Sequence, residues 1–214
     1  MAVRYTRGTT EFDRFAFFTD AVFAIAMTLL VVGIGIPKLA DPAALSNELR
    51  DLWPEILSFF VSFAVIGFYW RGSHSFVSNL EAVDQGLLTL NLPYLAAIAF
   101  VPFPTALVGI YDDQPEAVVI YALTLAVASA VDTLMFVWSH ARRLLRFQLT
   151  RAGYVHYLAA SLAPVVVFLV SIPIALVSPT AALWSWLSIW LIESILGRLE
   201  PASSRVERQV GSPS

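Results

Sequence analysis

A carboxylic acid lies at the start of the first apolar segment, where a charged group is costly. Asp20 follows Thr19, Arg14 lies six positions earlier, and the apolar residues beyond Asp20 are interrupted only by Thr28. An ionised side chain at the centre of a bilayer costs roughly 2.5–3.5 kcal/mol on insertion scales, so such groups usually have a partner or a function. Asp20 could carry a cation or a proton, or it could serve as a hydrogen-bond anchor between helices.

Three further polar side chains are expected at the same depth. Trp70 and His74 close the second apolar segment, and Asn91 lies one turn into the third. Together with Arg14 and Asp20 they could form one network, because polar groups in lipid need partners. A histidine titrates near neutrality, so a pH-sensitive gating cluster is one interpretation. A structural clamp between helices is the other.

Signatures of enzymatic chemistry are absent from the sequence. The chain has no cysteine, and neither a metalloprotease motif nor a phosphate-binding loop nor a serine-hydrolase elbow occurs. The potassium-filter sequence Thr-Val-Gly-Tyr-Gly is missing as well. We expect no catalytic residues, no metal, no cofactor and no nucleic-acid partner. Asp132 and Glu193 are isolated acids in later apolar segments, and they pose the same question as Asp20.

The composition is that of a membrane protein. Hydrophobic residues make up 58% of the chain and charged residues 14%, whereas a soluble domain has about 25% charged residues. Six apolar segments are long enough to span a bilayer. They cover about 15–36, 53–72, 87–110, 116–139, 154–177 and 180–198. The fold class predicted is an all-α, polytopic membrane protein.

Prolines and composition refine this organisation. Pro93, Pro102 and Pro104 fall within the third segment, so that helix should be kinked or broken. The connections are short, and residues 1–200 are therefore expected to form one transmembrane domain. Residues 201–214 are rich in serine and arginine, and we expect a disordered cytoplasmic tail there.

The distribution of basic residues predicts the orientation. With both termini inside, the inner segments hold 11 of the 13 basic residues. Only Lys38 and Arg50 fall outside. The positive-inside rule is then satisfied by six spans with cytoplasmic termini. The arginine cluster between 142 and 151 would set this topology and contact anionic membrane lipid.

The first helix has two distinct faces when drawn at 100° per residue. One face lies within about 60° of Ile25, and its members are Phe18, Ala21, Ile25, Thr28, Leu29 and Val32. Asp20 lies about 140° from Ile25, on the far side with Phe23. The Ile25 face could meet a symmetry axis while the other face packs on its own subunit. Ordinary contact of that face with lipid or another helix is the alternative.

These residues resemble a known family. Arg14, Phe18, Thr19 and Asp20 match the Arg-x-x-x-Phe-Ser/Thr-Asp signature of the transmembrane protein 175 potassium channels. The resemblance extends through the first three spans, and further matching residues are Tyr69, Trp70, His74, Asn91, Leu92 and the run from Pro102 to Leu107. His74 is followed by Ser75, where many relatives have a second histidine.

The resemblance implies a homotetramer with no re-entrant filter loop, in the cell membrane of a prokaryote. The first helix would line a pore for K⁺ and other monovalent cations. Its constriction would be Ile25 with Leu29 and Val32 further out, and Thr28 would add a ring of hydroxyls. Apolar rings can gate by dewetting, and selectivity for K⁺ over Na⁺ would be modest. Arg14 and Asp20 would clamp the helix. A proton-coupled transporter or proton-permeable channel is the alternative.

Overall fold

The computed structural model describes residues 3–35, 45–199 and 205–207. Nine α-helices follow one another in these ranges. They are α1 (Thr10–Leu29), α2 (Leu45–Asp51), α3 (Trp53–Ser78), α4 (Gln85–Phe100), α5 (Pro102–Ile110), α6 (Pro115–Ala141), α7 (Arg151–Ala175), α8 (Pro179–Ser185) and α9 (Leu187–Arg198). The helical fold class predicted from composition is confirmed.

Six helical segments are long and apolar enough to cross a membrane. Three of them are the single helices α3, α6 and α7. The first is α1 with a 3₁₀ turn at Leu30–Gly33, the third is α4 with α5, and the last is α8 with α9. Helix α6 is central, since it packs against α4, α5, α7 and α8. The chain is a multi-pass membrane protein.

The third span is broken, as its prolines predict. Helix α4 ends at Phe100 and α5 begins at Pro102. Pro93 remains inside α4, as do Pro164 and Pro173 inside α7. A proline removes one backbone donor and clashes with the preceding turn. The helix is interrupted at Pro102 and Pro104, which lie two positions apart, and continues through the more widely spaced prolines.

The second span is longer than predicted. The sequence suggested an end near residue 72, but α3 continues to Ser78. Its last turn is capped by Asn79, whose side-chain amide donates to the carbonyl of Ser75 at 2.9 Å. Trp70 and His74 therefore lie within a regular helix, one turn apart, and not at its end.

The first helix begins earlier and ends earlier than predicted. Thr9 caps its N-terminus, because the Thr9 hydroxyl accepts from the amide of Phe12 at 3.4 Å. The helix changes to a 3₁₀ turn at Leu30 and ends at Gly33. The predicted end at residue 36 and the proline that follows it, Pro37, lie outside the described residues.

Two short antiparallel strand pairs were not foreseen. Strand β1 (Arg4–Thr6) pairs with β2 (Ala82–Asp84), and β3 (Phe147–Leu149) pairs with β4 (Arg205–Glu207). The second pair uses three residues of the segment expected to be disordered, and the rest of that segment lies outside the described residues. The strands bring together the beginning of the chain, the α3–α4 and α6–α7 connections and residues 205–207. We call this the arginine-rich end.

Asp84 organises the arginine-rich end. Its carboxylate is 2% exposed and accepts from the amide of Leu87 at 2.9 Å, which caps α4. The indole nitrogen of Trp138 donates to the same oxygen at 2.9 Å. The other oxygen pairs with the Arg142 guanidinium at 3.5 Å. One side chain thus joins β2, α4 and the end of α6, and sequence reasoning missed it.

Gly86 is required by this arrangement. A Cβ atom added there would overlap the indole ring of Trp138, which Asp84 holds from one side and Arg142 covers from the other. We expect Gly86→Ala to lower stability by about 1–3 kcal/mol, the usual cost of overpacking.

Thermal unfolding in detergent, followed by circular dichroism, measures this. Gly72→Ala is the matched control, because a Cβ at that helical glycine of α3 meets no atom within 4 Å. Equal melting temperatures for both variants would contradict the requirement for glycine at 86.

Candidate functional site

The first helix packs against the rest of the chain through one stripe. The buried residues of α1 and its 3₁₀ turn recur every three or four positions, and they are Phe12, Phe15, Thr19, Phe23, Ala26 and Leu30. This spacing is one face of an α-helix. The stripe packs against α4 and α3. The rings of Phe23 and Tyr94 lie edge to face, with 6.0 Å between their centroids.

The opposite face of α1 is left uncovered. Four large apolar side chains of the face centred on Ile25 remain accessible, namely Phe18 (52% exposed), Ile25 (57%), Leu29 (45%) and Val32 (75%). Thr28 is also exposed. These five residues are hereafter called the uncovered stripe. Its area is apolar and continuous along the helix, so it suits contact with lipid, another chain or a narrow pore.

Thr19 anchors α1 to α4. Its hydroxyl is 2% exposed and donates to the carbonyl of Phe15 at 2.9 Å. It also accepts from the side-chain amide of Asn91 at 2.9 Å. The carbonyl oxygen of the Asn91 side chain is buried with no hydrogen-bond partner in the described part of the chain.

Asp20 anchors α1 to α3. The indole nitrogen of Trp70 donates to its carboxylate at 2.9 Å. The ring of Trp70 in turn lies over the imidazole of His74, with 5.5 Å between the ring centroids. The Asp20 side chain itself is exposed, so the bond lies at the surface of the chain.

The expected network is therefore two separate contacts. One joins Thr19 to Asn91 and the other joins Asp20 to Trp70 and His74. Thr19 and Asp20 are neighbours and point about 100° apart around the helix. Two anchors at that angle, on two different helices, fix the rotation of α1 about its axis. They thereby fix the direction in which the uncovered stripe points.

Arg14 lies apart from both contacts. It is exposed, and within the described residues its guanidinium forms neither a hydrogen bond nor an ion pair. It lines a surface groove between α1 and α4 together with Phe18, Gln85 and Asn91. The groove thus combines an unpaired cation with the wall that contains the unsatisfied Asn91 oxygen.

Thr28 adds a polar atom to the uncovered stripe. Its hydroxyl donates to the carbonyl of Ile25 at 2.8 Å, so its hydrogen is used within the helix. A hydroxyl oxygen has two lone pairs, and these remain available on the outer side. A ring of such oxygens can accept from water or contact a cation.

A second polar cluster holds the far half of the bundle. The Ser62 hydroxyl shares hydrogen bonds with Thr105 at 2.8 Å and with Tyr121 at 2.7 Å. The three residues belong to α3, α5 and α6, and all are buried. Thr105 was noted in the sequence only as part of a motif, and its partners are far away in the chain.

Among the described residues there is no group of three or more side chains that could hold a metal ion. The polar groups around α1 instead form hydrogen bonds that link helices. The site can orient an apolar helix face, and it contains no constellation of a nucleophile with a base.

The hydrogen bond between Trp70 and Asp20 can be tested by removing its donor. Trp70→Phe keeps an aromatic ring against His74 but leaves Asp20 without its donor. We expect it to lower stability by about 1–2 kcal/mol, since a hydrogen bond to a charged group is worth roughly 1.5–3 kcal/mol and this one is exposed. Asp20→Ala should cost a similar amount, with damage to assembly and not to ion preference.

Thermal unfolding and gel filtration of both variants and of the double variant provide the measurement. The two single losses should not add, because both remove the same bond. Trp53→Phe is the control, since Trp53 is an exposed tryptophan at the start of α3. Normal stability of Asp20→Ala with altered ion preference would overturn the assignment of Asp20 as an anchor.

Comparison with known proteins shows that this chain is similar to one group of channels. Residues 14–102, which run from α1 to the first residue of α5, match the family model described as the endosomal/lysosomal potassium channel TMEM175. A protein of Streptomyces collinus that is named a potassium channel is 36% identical over 135 residues. One of Chamaesiphon minutus, also named a potassium channel, is 39% identical over 138 residues. Each alignment covers 62% of this chain and 66% of the relative.

A solved structure extends the similarity to the later helices. The crystal structure of a lysosomal potassium-selective channel TMEM175 homolog from Chamaesiphon minutus superposes with a TM-score of 0.70 at 27% sequence identity. The match covers 91% of this chain and all of that chain. The likeness in fold therefore extends beyond the first three spans to the later ones.

Proposed function

This chain belongs to the TMEM175 family, and from that premise we propose that it is a potassium-permeable cation channel. Its relatives are named as channels and not as enzymes. In the proposal four copies assemble around an axis in a prokaryotic cell membrane, both termini lie in the cytoplasm, and no re-entrant loop filters ions.

The uncovered stripe of α1 carries this proposal. A helix whose far side is anchored at Thr19 and Asp20 can present Ile25 to an axis in a fixed direction. Four copies would form a ring of Ile25 side chains, with Leu29 and Val32 in further rings. Apolar rings of this kind block ions by excluding water and open when the helices tilt or rotate slightly.

Ion preference in this proposal comes from Thr28. Its hydroxyl hydrogen is committed to the Ile25 carbonyl, so its oxygen faces a permeating cation with lone pairs only. One ring of four hydroxyl oxygens replaces less of a cation's hydration shell than the stacked carbonyl rings of a potassium filter do. Selectivity for K⁺ over Na⁺ is therefore expected to be modest.

The groove at Arg14 supports assembly. An unpaired guanidinium and exposed aromatic side chains lie beside each other there, with Phe17 72% exposed and Phe18 52% exposed. Exposed apolar area marks a surface that contacts membrane lipid or another chain, and the unpaired charge beside it favours another chain, since charge is costly in lipid. We place the neighbouring subunit on this groove, where it would pair Arg14.

Reconstitution into liposomes tests the function directly. Under a K⁺ gradient, the purified protein should give stepwise single-channel currents in planar bilayers and a reversal potential between those for K⁺ and for an unselective pore. Empty liposomes and liposomes with heat-unfolded protein are the controls. Gel filtration with light scattering should give the mass of four chains.

The alternative is proton-coupled transport or a proton-permeable channel. Saturating flux that requires a proton gradient, without single-channel steps, would reject the potassium-channel proposal. Currents that follow the proton gradient and not the K⁺ gradient would favour a proton-permeable pore.

A further inference from the structure

Each subunit contains a polar chamber that the pore proposal does not use. The chamber has a volume of about 510 Å³ and lies between α3, α6, α7 and α9. Its polar lining includes Tyr69, Arg71, Ser129, Asp132, Ser161 and Glu193. The size falls within the range of binding pockets for small molecules, roughly 300–1,000 Å³.

Hydrogen bonds in its wall hold the chamber open. The hydroxyl groups of Tyr69 and Ser129 share a hydrogen bond of 2.5 Å between α3 and α6. Thr133 donates to the carbonyl of Ser161 at 3.0 Å, which joins α6 to α7. The wall is therefore fixed by the subunit's own contacts and does not need a ligand to form.

Three charged side chains line the chamber, and two of them, Arg71 and Glu193, lie near enough to attract each other. Within the described residues, Arg71, Asp132 and Glu193 form neither hydrogen bonds nor ion pairs. Asp132 and Glu193 are partly buried, whereas Arg71 is exposed. A charge at membrane depth that has no hydrogen-bonded partner is costly. The chamber therefore offers one cation and two carboxylates to a ligand that carries both signs of charge.

An apolar gallery of about 310 Å³ continues from the chamber. Phe68, Tyr69 and Pro164 border both spaces. The remaining wall of the gallery is apolar, and it includes Val61, Val65, Phe168, Leu183, Trp186 and Trp190. A hydrogen bond of 3.0 Å from the indole of Trp186 to Ser171 fixes part of this wall.

The two spaces have the same order along three helices. On α3, Val65 of the gallery precedes Arg71 of the chamber, and the helix then ends at the arginine-rich end. On α9, Trp190 likewise precedes Glu193. Helix α7 runs the opposite way, so the polar chamber lies towards the arginine-rich end in every case. The gallery points towards the middle of the bilayer.

From this arrangement we infer that the chamber and gallery form a binding site for a zwitterionic phospholipid with a primary ammonium headgroup, phosphatidylethanolamine. The phosphate would contact Arg71, the ammonium would contact Asp132 and Glu193, and an acyl chain would occupy the gallery. A lipid of the leaflet at the arginine-rich end has its head and chains in this same order. The site is independent of the pore and of its ion preference.

Charge complementarity selects this headgroup. A guanidinium binds phosphate with two parallel hydrogen bonds, and an ammonium supplies three donors to carboxylates. Phosphatidylcholine has a cation without donors, and phosphatidylglycerol has no cation for Asp132 and Glu193. Arg71 lies about 10 Å along the helix axis before the end of α3, at 1.5 Å per residue. A headgroup at that depth is withdrawn from water, so Arg71, Asp132 and Glu193 would replace its hydration.

Lipid competition on the full chain tests the site. The purified protein is relipidated with equal amounts of phosphatidylethanolamine, phosphatidylglycerol and phosphatidylcholine that share the same acyl chains. It is then washed, and the retained lipid is counted by mass spectrometry. We expect phosphatidylethanolamine to be retained about tenfold over each of the others, since one charge-assisted hydrogen bond is sufficient for that ratio.

Variants divide the site into its parts. Asp132→Asn with Glu193→Gln should abolish the preference over phosphatidylcholine, and Arg71→Gln should lower retention of all three lipids. Ala64→Trp should fill the gallery, because Ala64 lines it. Ala159→Trp, at an exposed position of α7, is the control for a bulky ring, and Glu81→Gln is the control for a lost carboxylate.

Equal retention of the three lipids by the unmodified protein would overturn the inference, whatever the variants do. Preference for phosphatidylglycerol would overturn it too, because an anionic headgroup would then be recognised. If both control variants lost the preference as fully as the site variants, the chamber would not be the place of binding. A preference that only the site variants remove would support it.

Discussion

Ile25→Asn is expected to raise the potassium conductance about tenfold, because lowering a barrier by about 1.4 kcal/mol raises a rate by that factor. In the proposed tetramer the substitution replaces an apolar ring at the constriction by four amides. Amides hold water by hydrogen bonding and so remove the dewetting that blocks ions. Single-channel recording in planar bilayers under symmetrical K⁺ measures the change.

Val31→Asn is the matched control. Val31 is a branched apolar residue in the 3₁₀ turn that follows α1, is 55% exposed and lies outside the uncovered stripe. It should leave the conductance close to that of the unmodified protein. Unchanged currents in Ile25→Asn, or equal gains in both variants, would show that the uncovered stripe does not form the constriction.

Asp84→Ala is expected to lower stability by about 3–5 kcal/mol, the largest loss from any single side chain considered. It removes the cap of α4 and leaves the indole nitrogen of Trp138 and the amide of Leu87 without their acceptor. It also leaves Arg142 without its carboxylate. Thermal unfolding followed by circular dichroism measures the loss.

Two further variants separate the loss of the buried contacts of Asp84 from the loss of a negative charge. Asp84→Asn keeps one acceptor oxygen and should lose less than Asp84→Ala. Glu81→Ala removes an acid three residues earlier whose pair with Arg146, at 4.0 Å, is exposed, and exposed pairs contribute about 0–1 kcal/mol. Losses of equal size at Glu81 and Asp84 would refute the role given to Asp84.

The two predictions concern residues that are linked through α4. Asp84 holds the start of α4, and α4 carries Asn91, which anchors Thr19 of the first helix. Loosening α4 would therefore loosen one of the two contacts that set the rotation of α1. We expect residual currents of Asp84→Ala to be more variable in amplitude than those of Ile25→Asn.

The sequence by itself determined the class of protein and the two faces of its first helix. Hydropathy depends on composition over some twenty residues, and the helical wheel depends only on a fixed 100° per residue. The six spans, the break in the third span and the burial of Phe23 opposite Ile25 therefore depend only on residues that are close together in the chain. The family was also readable, because Arg14, Phe18 and Asp20 lie within one short motif.

The tertiary structure decided which polar groups meet. Asp20 contacts Trp70 and Thr19 contacts Asn91, whereas Arg14 joins neither. No periodicity could assign these pairs, because they depend on how three helices are rotated against one another.

The same holds for features that come from segments far apart in the chain. Asp84 gains its importance from Trp138 and Arg142, and the polar chamber exists only where Arg71, Asp132 and Glu193 converge from three helices. A sequence pattern records the neighbours along a helix, whereas a carboxylate's partners and a cavity's walls are set by packing between helices.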